Sequence, residues 1–140
     1  MNTDVQTAMD ILKAQGCTCV LCREQSVYTS CHRGVKPLLD WLEMGIGKDC
    51  SAADKVVGRA AAYLYCLLGV RALHAQIISQ PALSVLEQHG IPTRYDLLVE
   101  GIRNRAGDGP CPMEAATASA GSPAHALELI RSTLEKLRKS

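Results

Sequence analysis

The sequence predicts an α/β fold in which helices are layered on a central mixed β-sheet. Along the chain, the apolar residues change repeatedly from helical spacing to short β-favouring runs and back. This alternation is typical of layered α/β domains. With 140 residues, of which 47% are hydrophobic, the chain is long enough for one ordinary core and too short for two. We therefore expect residues 1–140 to form a single domain.

The first third of the chain contains a helix, a hairpin and a second helix. Apolar residues recur at helical spacing over residues 3–15, which predicts an amphipathic helix. Two β-leaning runs, Cys17–Cys22 and Ser26–Cys31, are separated by a short polar turn and predict a β-hairpin. Pro37 is favoured in the first turn of a helix, and the short helix that it opens is expected to end near Gly45.

Residues 51–68 show the clearest helical pattern in the chain. Ser51 followed three residues later by Asp54 has the form of a capping box, and Gly69 provides a stop signal. Apolar residues then repeat at helical spacing, at positions Ala53, Val57, Ala60, Ala61, Leu64 and Leu68. We predict one long helix here, with a stripe of small residues that suits close packing on a sheet.

The second half of the chain continues the alternation. Val70–Ser79 reads as a buried strand, and a short helix is predicted from Pro81 to Gly90. Tyr95–Ile102 favours a further strand, although its apolar run also fits a helix. A short helix over Pro112–Ala118 and a final helix with leucines and isoleucine on one face over residues 127–137 complete the prediction.

The composition excludes several classes of partner. Fifteen basic and fourteen acidic residues give a net charge of +1 without a basic block, so we expect no binding to a nucleic acid duplex. The longest apolar run, residues 60–70, has 11 residues, whereas a membrane-spanning helix needs about 20. Seven cysteines is an odd number, and the N-terminus lacks the pattern of a signal peptide. These features predict reduced thiols and a cytoplasmic location.

Four stretches of the sequence resemble a bacterial and archaeal family known as domain of unknown function 1893. They are Gly34–Leu39, Ala53–Ala62, Ile102–Arg105 and Cys111–Glu114. The strings Asp54-Lys55-Val56-Val57-Gly58 and Cys111-Pro112-Met113-Glu114 are the most specific, and the resemblance extends over nearly all of residues 5–137. It implies a three-layer cytidine deaminase-like domain, with helices on both faces of the mixed sheet. By analogy with related folds, it also suggests a homodimer.

Comparison with active cytidine deaminases suggests that the metal site is lost. Those enzymes hold zinc with a His or Cys at one helix start and two Cys at the next, and a Glu transfers protons. Aligned with this chain, the three ligand positions fall on Ala52, Ala82 and Val85, and the proton-transferring position falls on Asp54. Aliphatic side chains cannot bind a metal ion. The alignment therefore predicts no zinc, no other cofactor and no deamination of cytidine.

The resemblance gives two groups of candidate site residues. Asp54 and Lys55 are expected in the first turn of the long helix, where they would bind a ligand or, alternatively, serve as a helix cap and its solvated neighbour. Gly58 would allow a ligand or a backbone segment to come close. The polar residues Asn104 and Arg105 belong to a matching motif and are also candidates for ligand binding.

Cys111 is the candidate for chemistry. It precedes Pro112, so it is expected at a helix start, where backbone N–H groups can stabilise a thiolate. With Asp54 as an acid or base, Cys111 would act as a nucleophile or redox thiol, and Glu114 would complete the site. The alternative is that Cys111 is a small half-buried residue at a loop–helix junction and that Glu114 closes the cap.

Three functions remain open from the sequence. The first is a zinc-free protein that binds a small polar ligand such as a nucleotide or a related metabolite. The second is an enzyme of unassigned class that uses Cys111. The third is a structural or partner-binding subunit, for which neither a bound small molecule nor a reactive thiol would be required.

Overall fold

Helices and strands alternate along the chain in the computed structural model, which describes residues 3–32, 34–103, 107 and 111–139. The elements are α1 (Thr3–Gln15), β1 (Cys19–Arg23), β2 (Ser26–Ser30), α2 (Lys36–Met44), β3 (Ser51–Val57), α3 (Arg59–Leu68), β4 (Ala72–Ser79), α4 (Gln80–Gln88), β5 (Thr93–Val99), α5 (Pro112–Thr117) and α6 (Pro123–Lys139). The predicted α/β class and central mixed sheet are confirmed.

The sheet has five strands in the order β2-β1-β3-β4-β5. Strand β1 pairs antiparallel with both β2 and β3, whereas β3, β4 and β5 run parallel. The parallel strands are joined by helices α3 and α4, because parallel neighbours need a crossover connection. Strand β3 therefore lies at the centre of the sheet, and β2 and β5 form its two edges.

Helices cover both faces of the sheet. On one face, Met9 and Leu12 of α1 pack against Val20 of β1 and Ala53 of β3. On the other face, strand side chains join a larger core with α2, α3, α4 and α6, in which Tyr65 is fully buried. Burying a leucine-sized side chain contributes about 1.5–3 kcal/mol, so these two clusters account for much of the driving force for folding.

Most of the predicted elements are confirmed, with small changes at their ends. The hairpin is formed by β1 and β2, and α2 ends at Gly45, whose φ of 72° is in the left-handed region that glycine favours. The segment predicted as Tyr95–Ile102 is the strand β5, so its helical alternative is wrong. The last helix begins earlier than expected, at Pro123. None of the helices in the described ranges is long and apolar enough to cross a membrane.

The prediction of one helix over residues 51–68 is wrong for its first half. Residues 51–57 form the central strand β3, Gly58 is extended, and the helix α3 begins at Arg59. The reason is that β3 is packed on both faces, so buried residues follow one another and the alternation typical of a half-exposed strand is missing. The helical spacing of Ala53 and Val57 is then a coincidence of sequence.

A substitution in the middle of β3 tests this assignment. Replacing the fully buried Ala53 with Leu inserts three carbon atoms between α1 and the sheet. We expect a loss of about 1–3 kcal/mol in the free energy of unfolding, measured by urea denaturation. The control is Val56→Leu in the same strand, because Val56 is 44% exposed and should change stability by less than about 0.5 kcal/mol. Equal effects of the two variants would contradict the packing described here.

Candidate functional site

A cavity of about 540 Å³ opens beside the carboxyl half of β3 and the start of α3. Its floor includes Cys19 of β1 and Asp54 of β3, and its walls include Ala60 of α3 and Met113 of α5. The volume is within the range of pockets that hold one metabolite-sized ligand. The cavity therefore joins elements that are far apart in the sequence.

Five of the predicted site residues line this cavity. They are Asp54, Lys55, Gly58, Cys111 and Glu114. The two motifs that carry the family resemblance thus meet in space, although more than fifty residues separate them. The other two candidates, Asn104 and Arg105, lie outside the residues that the structure describes.

Asp54 lies in the central strand and not at a helix start, so the expected capping position is corrected. Its side chain is buried, with an exposed fraction of 8%. One carboxylate oxygen, Oδ2, accepts a hydrogen bond of 2.6 Å from the hydroxyl of Tyr65, and Oδ1 accepts one of 3.2 Å from the backbone N–H of Val56. Burial nevertheless raises the pKa of Asp54 to about 7, because removal from water disfavours the charged form.

Two further buried groups face Asp54 that the sequence did not single out. Tyr65 of α3 is fully buried, and this burial raises the pKa of its hydroxyl well above its usual value. Cys19 lies directly opposite Asp54 in the β1–β3 register, and burial raises the pKa of its thiol, with a further contribution from the neighbouring carboxyl. Both groups are therefore neutral at physiological pH, and the Cys19 thiol is a poor nucleophile.

Glu114 connects α5 to the start of α3. Its Oε1 accepts a 2.5 Å hydrogen bond from the backbone N–H of Arg59, and its Oε2 lies 3.6 Å from the Arg59 guanidinium. Gly58 has no side chain between these groups, and an added Cβ would collide with Glu114 Oε1. Glu114 therefore caps α3 instead of its own helix, and Gly58 provides the space that this contact needs.

The start of α3 presents backbone amides to the cavity. The first hydrogen bond within the helix runs from the N–H of Ala62 to the carbonyl of Gly58. The N–H groups of Ala60 and Ala61 precede it, so they have no acceptor within the helix, and both residues line the cavity. Together with the helix dipole, these donors favour an anionic group at this end of the cavity.

Cys111 occupies the N-cap position of α5, as the sequence predicted, and its half-buried side chain lines the cavity. The segment before α5 is held in place because the backbone N–H of Cys111 donates to the carbonyl of Ile102 at 2.9 Å. The thiol makes no capping hydrogen bond with α5. Because Cys111 lines the cavity, a molecule bound there would lie close to it.

The rim of the cavity carries basic side chains, and its walls are largely apolar. Lys55, His32 and Arg103 are exposed at the opening. Val35 and Ile102 contribute to the apolar wall. Such a combination, with apolar walls around a few fixed polar groups, is typical of sites for small molecules.

The deaminase alignment is wrong in its register. Ala52 lies within β3, where it pairs with Leu21 and Leu73, whereas the metal-binding motif requires a helix start. Ala82 and Val85 do lie in the first turns of α4, but both are buried and neither lines the cavity. Of the aligned positions, Asp54 alone reaches it.

Among the described residues, the cavity shows no group of side chains suited to a catalytic zinc. Within the described ranges, no three His, Cys, Asp or Glu side chains are grouped so that they could hold a metal ion. Asp54 is partly protonated near pH 7, Glu114 is bound to Arg59, and the thiol of Cys19 is held neutral by burial. Zinc needs deprotonated donors that converge from three sides, and these groups do not supply them.

Comparison with known proteins gives a family and a structure of similar fold. Residues 7–134 match the model of the family described as domain of unknown function (DUF1893). The fold is similar to the crystal structure of a DUF1893 family protein from Thermotoga maritima, with a TM-score of 0.85 and 25% sequence identity. That alignment covers 97% of this chain and 91% of the other. None of the curated proteins matches the sequence.

The raised pKa of Asp54 predicts a pH-dependent stability. Because the pKa is about 7 in the folded protein and 3.8 ordinarily, the contribution of Asp54 is complete below about pH 4 and is lost as the pH rises to 7. Asp54→Asn removes this loss. As the pH rises from 4 to 8, we expect the free energy of unfolding of Asp54→Asn to increase relative to that of the native protein by as much as about 4 kcal/mol, measured by urea unfolding. A difference that does not change with pH would contradict the burial of Asp54.

The contact between Glu114 and α3 predicts a coupled pair of substitutions. Glu114→Ala removes a helix cap, so we expect a loss of about 1–2 kcal/mol in the free energy of unfolding. Gly58→Ala is expected to cost less in the Glu114→Ala background than in the native protein, because the collision is gone. Glu128→Ala, on the exposed face of α6, is the control. If the effects of Glu114→Ala and Gly58→Ala on stability were additive, residues 58 and 114 would not be in contact.

Proposed function

The chain belongs to the DUF1893 family, and we propose that it binds one small polar ligand, a nucleotide or a related metabolite, in the cavity around Asp54. The single observation that carries this proposal is a buried carboxyl group whose pKa is about 7 and which faces a cavity of metabolite size. A buried ionisable group is costly for the fold, and such groups concentrate at functional sites.

A zinc-free cytidine deaminase-like scaffold is part of the same proposal. The mixed sheet with the strand order β2-β1-β3-β4-β5 and helices on both faces supports this architecture, as does the position of the cavity at the start of a helix that follows a central strand. The seven cysteines are free thiols, which supports a reducing compartment such as the cytoplasm.

The chemistry of the cavity favours a ligand with a polar ring and an anionic group. A carboxyl that is half-protonated near pH 7 can donate to a ring nitrogen or accept from an amine. Apolar side chains such as Val35 and Ile102 can contact a ring. The amides of Ala60 and Ala61, with Lys55 at the rim, suit a phosphate or a carboxylate. A nucleoside monophosphate combines all these features.

A second candidate is an enzyme that uses Cys111, and one observation favours it. The thiol of Cys111 and the carboxyl of Asp54 line the same cavity, so a bound molecule can reach a nucleophile and a group able to transfer a proton. The ligand-binding proposal does not require this thiol, and therefore the two candidates can be separated by experiment.

Native mass spectrometry and calorimetry test the binding proposal. We expect gently purified protein to carry a co-purifying small molecule or, after its removal, to bind one nucleoside monophosphate from a panel of four per chain. Asp54→Asn and Lys55→Ala should each weaken this binding at least about tenfold. Lys13→Ala, on the exposed side of α1 away from the cavity, is the matched control. Protein that has the mass of the bare chain and binds no member of the panel would refute the proposal.

Alkylation by iodoacetamide separates the second candidate from the first. If Cys111 is the reacting group, it should label faster than the exposed Cys31, and the bound nucleotide should protect Cys111 but not Cys31. If the site only binds its ligand, Cys111→Ser should retain the native affinity. If Cys111 of the native protein labels at the rate of Cys31 and Cys111→Ser binds normally, binding alone remains as the function.

A further inference from the structure

Strand β5 is exposed along most of its length. It forms one edge of the sheet and pairs with β4 alone among the described strands. Five consecutive residues, 94–98, are exposed, and the strand has seven residues in all. An edge of this kind offers a row of unpaired backbone N–H and C=O groups to another chain.

The strand has few of the features that usually protect an edge. It contains no proline or lysine, which often interrupt natural edge strands, and its charged residues are Arg94 and Asp96. Tyr95 is 41% exposed and Leu97 is 53% exposed. Leu97 also continues a row of apolar partners across the sheet, from Val56 of β3 through Ile77 of β4. An apolar patch along an unprotected edge is a feature of interaction surfaces.

The charges on β5 are complementary to those of a second copy of the same strand. Arg94 and Asp96 flank Tyr95 and, by the alternation of a strand, point to the same face as each other. In an antiparallel pair with a two-fold axis at Tyr95, Arg94 of each copy lies opposite Asp96 of the other. Axes at Arg94 or at Asp96 would instead place like charges opposite each other, which is unfavourable.

We propose that β5 is a homodimer interface, in which two copies pair antiparallel about a two-fold axis at Tyr95. The two five-stranded sheets then join into one continuous sheet, and both copies keep α1 on the same side. The axis is perpendicular to the sheet, so side chains that lie opposite each other point to the same side of the joined sheet. The pairing satisfies the open backbone groups of both edges and covers Tyr95 and Leu97.

A contact with β4 positions Asp96 near the proposed interface. Its Oδ1 lies 2.9 Å from Nε2 of His74 on the neighbouring strand β4, and half of its side chain remains exposed. His74 pairs in register with Arg94, so the three side chains lie on one face near the edge. The carboxylate is therefore bound to β4, and half of the Asp96 side chain remains accessible to Arg94 of a second copy.

Exchanging the charges of Arg94 and Asp96 tests the register, and sedimentation velocity measures the effect on the dimer. We expect the native chain to show a monomer–dimer equilibrium over a roughly hundredfold range of concentration. Arg94→Asp and Asp96→Arg should each raise the dimer dissociation constant at least about tenfold, because each places like charges opposite each other. The double exchange R94D/D96R should restore the native constant to within about threefold. Arg131→Asp, exposed on α6, is the control for a change of net charge.

Hydrogen exchange locates the interface independently of any variant. Amides of β5 should exchange more slowly at high protein concentration than at low, while those of the exposed edge strand β2 should not change. Circular dichroism melts confirm that the single variants remain folded. A monomer at every concentration, a dimer without protection of β5, single variants that dimerise normally, or a double exchange that fails to restore the dimer would each overturn the proposal.

Discussion

Strand β3 is held from every side, and the rest of the structure is arranged around it. Its backbone pairs with β1 and β4, and its side chains are packed between α1 and the larger helical layer. Small residues such as Ala52 and Ala53 allow this close approach. The turn at Gly58 then directs the chain into α3, so the position of β3 also fixes where the cavity opens.

Asp54 places a carboxyl group in the buried part of this strand, and its surroundings explain how it is tolerated. Burial of a charged carboxylate is costly, and the hydroxyl of Tyr65 with the N–H of Val56 offsets part of that cost. The remaining cost appears as the raised pKa. A carboxyl in this state can change its protonation near neutral pH when a ligand binds, which a fully exposed aspartate cannot do.

The centre of the sheet and its β5 edge differ in how fully they are packed. At the centre, Asp54 and Gly58 are held by contacts that reach from β1 to α5. At the edge, β5 has neighbours on one side and a largely exposed surface. This contrast separates the two proposals physically. The cavity belongs to the buried centre of each chain, whereas the proposed interface uses an edge strand with five consecutive exposed residues.

The sequence by itself determined the elements that depend on local signals. Pro37 and Gly45 mark the ends of α2, and a polar turn between two β-leaning runs gives the hairpin, because such residues restrict the backbone wherever they occur. The motifs that carry the family resemblance also predicted Asp54, Gly58 and Glu114 as residues of one site, and all three line the same cavity.

The tertiary structure alone decided what those residues contact. Residues 51–57 became a strand because burial on both faces overrides the helical spacing that the sequence displays. Glu114 caps a helix that begins 55 residues earlier, and Tyr65 reaches Asp54 from a different element, so neither contact leaves a local pattern. Contacts between distant segments are fixed by packing of the whole chain, and for that reason the cavity could not be read from the sequence.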